Sequence, residues 1–201
     1  MSNRRTTLRA ALVAAATLLP NAAWAHPGHD ASVGFVHGLV HPVTGLDHVL
    51  AMVAVGLFAA QLGGRALWAV PLSFVSVMAL GGVLGMAGVG VPFVEAGIAI
   101  SVIALGLAVA LQWKAPVAAA TALVGLFAVF HGHAHGAEMP VDAFGLEYGL
   151  GFLLATAVLH VLGIGLAFSI ARFGQVATPR TIRIGGAAMA VAGVGILSGF
   201  I

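Results

Sequence analysis

A chain of 201 residues, 61% of them hydrophobic and only 7% charged, has a mean hydropathy of +1.10. Soluble domains are roughly 45–50% apolar and about 25% charged, so this composition excludes one and leaves an all-α integral membrane domain with several spans of about 20 residues each. The sequence pI near 9.9 invites a nucleic-acid partner, but three of the eight basic residues are Arg4, Arg5 and Arg9 and the others are isolated, which excludes that partner as well. Cysteine is absent, leaving imidazole and carboxylate as the strong metal-binding side chains.

Residues 1–25 read as a cleavable signal peptide. Three arginines precede the apolar run from Ala10 to Pro20, and Ala23-Trp24-Ala25 supplies the small residues of a cleavage site. The alternative is an uncleaved anchor helix, for which the run is short. After cleavage the mature domain is 26–201, where five basic residues face six acids for a net charge of −1 with histidines neutral. Its tail, His26-Pro27-Gly28-His29-Asp30, offers loosely held metal ligands.

Six transmembrane helices follow, at about 43–61, 66–87, 92–112, 115–135, 145–170 and 182–201, each bounded by charge, Pro or Gly. Pro42 suits a first helical turn, so span one is expected to start there, with 31–40 a separate short piece. A removed leader leaves the mature N-terminus outside, so spans one, three and five run inward. Arg65, Lys114, Arg172, Arg180 and Arg183 then all fall in inner connections, as the positive-inside rule requires, and both termini lie on the outer, periplasmic side. Gly81 with Gly85, Gly145 with Gly149, and Gly195 with Gly199 have the spacing that lets helices approach closely in lipid, with hinges as the other reading.

On this topology the remaining ionisable groups crowd one side. His37, His41, Asp47 and His48 stand at the outer end of span one, and Glu95 one turn into span three. His131, His133, His135 and Glu138 close span four, with Asp142 and Glu147 beyond it, and only His160 lies near mid-membrane. Ionisable residues in a membrane are expensive and mark functional sites. His131, His135 and Glu138 fall at i, i+4 and i+7 on one helix face, and His41 and His48 share a face if the helix holds through both. His-Gly-x-x-His occurs at 37–41 and at 131–135. These segments open span one and close span four, an arrangement that suits two inverted three-helix halves meeting at a central site.

The patterns His-Pro-x-x-Gly-x-Asp-His at 41–48 and Phe-His-Gly-x-Ala-His-Gly-x-Glu at 130–138 resemble those of the HupE/UreJ family of nickel permeases. The resemblance also covers the leader, the six-span layout and Glu95. It implies a multi-pass protein of the bacterial inner membrane that takes up Ni2+, or Co2+, to supply hydrogenase or urease maturation. It further implies roles for His41, Asp47, His48, His135 and Glu138, and also for Glu95 and Phe74. His29, His133 and His160 fall outside those patterns.

Imidazole and carboxylate suit nickel, cobalt, zinc and copper(II), so selectivity rests on geometry and availability. No organic cofactor and no catalysis are implied. The expected metal set is His41, Asp47, His48, His131, His135, Glu138, Glu95, His26 and His29, with His160 and Phe74 on the pathway. Met52, one turn after His48, is either a soft ligand or core packing. The rival readings are a membrane metal sensor or storage protein and, more remotely, a di-iron oxygenase, which lacks its HxxHH box here. An intramembrane metalloprotease would need the missing HExxH.

Overall fold

An apolar segment in lipid must satisfy its backbone internally, and a single segment does so only as a helix. The computed structural model describes residues 31–139, 145–173 and 178–200, and every regular element within them is helical. These are α1 Ala31–Thr44, α2 Leu46–Leu62, α3 Ala66–Met86, α4 Val94–Ala110, α5 Val117–Ala137, α6 Gly145–Phe173 and α7 Thr178–Leu197. The expected signal peptide and the expected ligands His26 and His29 lie outside the described residues, as do Asp30 and Asp142.

Each of the six expected apolar stretches holds a helix, with its ends displaced by a few residues. Four of them, within α3, α5, α6 and α7, are long and apolar enough to cross a membrane, and a bent pair formed by α1 and α2 brings the total to as many as five. The apolar α4 has 17 residues, about 26 Å at 1.5 Å per residue, a little short of a core of about 30 Å.

The chain does not turn where Pro42 was expected to begin span one. Pro42 lies near the C-terminal end of α1, where a missing N–H forfeits a single hydrogen bond four residues back. The break comes at Gly45, whose backbone is extended at φ −89° and ψ 118°, and the two helices meet there at 82°. A β-carbon on Gly45 would stand 2.8 Å from Asp47 Oδ1, so a glycine gives the carboxylate its place. His41 and His48 consequently share no helix face and project from the two arms of a bend.

Helix α2 is the hub and touches every other helix, burying an unbroken stretch from Ala54 to Ala59 in the core. Around it α3 lies along α5, α4 along α7, and α1 along α6. The α3–α5 seam is made by glycines: a β-carbon on Gly132 would collide with the Met78 carbonyl, and one on Gly85 with the His133 carbonyl. The expected Gly81 and Gly85 belong to this seam. The other two expected pairs form no seam among the described residues, because Gly149 meets open space and Gly199 turns the end of α7 at φ 71°.

An exchange of inverted halves would equate α2–α6 with α5–α3, and both pairs do pack. It would also equate α2–α4 with α5–α7, yet α5 has no comparable contact with α7 among the described residues. The halves are thus unequal in packing. At the end of the bundle remote from the histidines, the Gln61 amide donates to the Trp113 carbonyl at 3.3 Å and Arg183 Nε donates to the Ala110 carbonyl at 3.0 Å. These bonds draw the connections bearing Arg65 and Lys114 to the start of α7, so the cations gather opposite the histidines.

Candidate metal site

The i, i+4 spacing on α5 puts His131 and His135 on one face, and the bend at Gly45 aims His41 and His48 at that face from two directions. Two groups result, and they share His135. In the outer group His41 Nε2 lies 3.0 Å from His135 Nδ1 and 3.3 Å from Glu138 Oε2, and His135 Nδ1 lies 3.5 Å from the same carboxylate oxygen. A divalent first-row ion bonded at about 2.0–2.2 Å separates its ligands by about 3.0–3.5 Å, so this group already stands at ligand spacing. In the inner group one nitrogen from each of His48, His131 and His135 lies within 4.8 Å of the others.

Exposure falls steadily from mouth to interior. The side chain of Glu138 is 55% exposed, that of His41 35% and that of His135 13%, while His48, His131 and His160 are fully buried. Beside His135 a cavity of about 440 Å³ is lined by Met78, Gly82, Met86, Tyr148 and Phe152.

Helix α6 supplies a rail along this series. Tyr148, Phe152, Thr156 and His160 recur every fourth residue and are all buried, spanning about 18 Å of helix. The Tyr148 ring lies 6.0 Å from His41, and Phe152 lies 4.6 Å from His135 and 5.1 Å from His48. Thr156 Oγ1 is 3.1 Å from His48 Nε2. Phe74, from α3, stands between the two deepest rings, tilted at 5.8 Å from His131 and edge-on at 5.3 Å from His160. Neither ring nitrogen of His160 has a hydrogen-bond partner among the described residues; a buried polar group left so requires an explanation.

The structure therefore brings together His41, His48, His131, His135 and Glu138, with Phe74 and His160 next in line. It does not bring in Asp47, whose Oδ1 accepts the backbone N–H of His48 at 2.7 Å in the first turn of α2. Nor does it bring in Glu95, exposed in the first turn of α4, where the helix dipole favours an acid. His133 faces away and donates from Nε2 to the Val89 carbonyl at 2.7 Å, tying the α3–α4 connection to the outer end of α5. His37 is exposed on α1. Four contributors escaped the motif reading: Tyr148, Phe152, Thr156 and Ser101, the last lying 2.8 Å from His131 Nε2. The four-residue recurrence into His160, and a lone hydroxyl in an otherwise apolar α4, are the signals that would have found them.

Comparison with known proteins places the chain in a family. The family described as HupE / UreJ protein matches residues 13–196. The chain belongs to the HupE/UreJ family. Protein HupE of Rhizobium leguminosarum bv. viciae is 52% identical over 185 residues, covering 92% of this chain and 95% of that protein. No solved structure matches. Family membership thus extends over both histidine groups, the Phe74 ring and the α6 rail.

Proposed function

We propose that this protein is a permease that imports Ni2+, or Co2+, across the bacterial inner membrane, supplying the maturation of nickel enzymes such as hydrogenase or urease. The observation that carries this reading is the graded series from exposed Glu138 and His41, through His135, to the fully buried His48 and His131 and on to His160. A storage or sensing site needs one closed ligand set, whereas conduction needs several sites, each weak enough to release.

His41, His135 and Glu138 capture the hydrated ion at the periplasmic mouth, where the carboxylate offsets part of its charge. His135 then carries it inward by exchanging its outer partners for His48 and His131, so the ion is never without ligands. Asp47 holds the turn that aims His48. Glu95 adds negative charge at the same end, and the mature tail with His26 and His29 delivers ions to it. The six-span reading, the cleaved leader and the periplasmic termini belong to this proposal, supported by cations gathered at the end opposite the histidines.

Purified protein in sealed vesicles should carry nickel inward, and His135→Ala should not. Stoichiometric nickel binding without flux would overturn the permease reading in favour of storage or sensing.

A further inference from the structure

The inner group contains one histidine whose protonation the surrounding protein dictates. Ser101 is the only hydroxyl residue of α4, and it is fully buried. Its hydroxyl donates to the Ile98 carbonyl at 2.6 Å, and the same oxygen lies 2.8 Å from His131 Nε2. A serine carries one hydroxyl hydrogen, and a carbonyl can only accept. When that hydrogen lies on the Ile98 carbonyl, the shorter of the two contacts, Ser101 can only accept from His131, and Nε2 bears the proton. A neutral imidazole has one N–H, which leaves Nδ1 with a bare lone pair. That atom is buried without a partner among the described residues, in a ring of the group whose ligand atoms converge.

His48 is the instructive contrast. Its Nε2 lies 3.1 Å from Thr156 Oγ1, but the only other contact of that hydroxyl is Met78 Sδ at 3.9 Å, among the described residues. Thioether sulfur accepts weakly, so the Thr156 proton is free to turn to His48, and this second histidine keeps both tautomers.

We propose that Ser101 is a positioning residue of the transport site, fixing His131 in the tautomer that presents Nδ1 to a divalent metal ion. It touches no ion itself and acts through the ring, as partners of metal-bound histidines do elsewhere. The inference rests on the permease reading for its metal, but its structural half stands on the metal-free protein.

The test uses the full chain in lipid nanodiscs with nitrogen-15 labelled histidine. In wild type without metal, His131, assigned by the loss of its signals in His131→Gln, should show the Nε2–H form. Ser101→Ala should show a mixture, and Ser101→Thr should restore the single form. Nickel titration should resolve an outer and an inner binding step, and Ser101→Ala should weaken the inner one by roughly 10–100-fold, the usual cost of losing such a partner, with the outer step unchanged and Ser101→Thr near wild type. An Nδ1–H form in wild type overturns the proposal whether or not the variants fold. So does Ser101→Ala with unchanged tautomer and affinity. A wild type that shows the Nε2–H form but binds no nickel upholds the assignment of the hydroxyl and defeats the permease reading instead.

Discussion

The outer and inner histidine groups use one shared residue and one kind of ligand, yet they are opposite as electrostatic environments. The outer group stands in partial contact with water, includes the carboxylate of Glu138 and is already at ligand spacing. The inner group is more deeply buried, contains imidazoles only and is backed by two hydroxyls. A dication gains a formal charge partner at the mouth and loses it on moving inward, where uncompensated charge is expensive. On the proposed permease reading, capture would be favoured at the exposed group and binding weakened at the buried one, the pattern conduction demands.

The shared residue gives the largest expected effect. His135→Ala removes a ligand from both groups at once, so nickel uptake should fall by more than about 100-fold and calorimetric binding should vanish with it, given that even supporting partners of metal ligands are worth 10–100-fold. Retained tight binding would mean that the two groups do not depend on His135. Next come His48→Gln and His131→Gln, which touch the inner group alone. Uptake should drop by roughly 10–100-fold while binding at the mouth stays within about threefold of wild type. Equal loss of binding and uptake would merge the two groups into a single site.

Sequence reasoning reached the helices and most of the side chains that the structure gathers into the two groups because both follow from local rules. Long uncharged runs have one way to satisfy their backbone in lipid, and His131, His135 and Glu138 share a face by helical period alone. It failed where a contact depended on a neighbour. Gly45 rather than Pro42 marks the break, beside the Asp47 carboxylate, and nothing in local propensity ranks a glycine above a proline as a breaker. Asp47 reads as a ligand from its position beside His48, but its carboxylate turns back to the helix start. Glu95 reads as interior from its depth in an apolar run, whereas α4 begins only one residue before it. Ser101 and the α6 rail require knowing that α4 and α6 face the same rings.

Acid should act next in size. A nitrogen that carries a proton cannot bind metal, so protons compete with nickel at the mouth. Apparent affinity should fall as pH is lowered through the range in which the ligand imidazoles take up protons. A titration that stays flat down to the pH at which the protein unfolds would remove histidine as the principal ligand there. Glu138→Gln should be milder, weakening capture several-fold and mostly at low ionic strength, because its carboxylate is largely solvated and salt screens it. Uptake kinetics at two salt concentrations would show this, and an effect independent of salt would make Glu138 a tightly bonded ligand rather than an attracting charge.

The smallest effect separates two meanings of Asp47. If its carboxylate ligates the ion, losing the charge should matter most, and Asp47→Asn should be nearly as damaging as His48→Gln. If it fixes the first turn of α2 by accepting the His48 N–H at 2.7 Å, asparagine keeps an oxygen able to accept that bond, while alanine does not. A bond of this kind at a helix start contributes about 1 kcal/mol, and the lost negative charge near the N-terminus some tenths more. Nickel affinity should therefore fall about two- to threefold in Asp47→Asn and several-fold more in Asp47→Ala. Titration of both variants beside wild type decides the matter, and an asparagine variant as poor as His48→Gln would bring Asp47 back among the ligands.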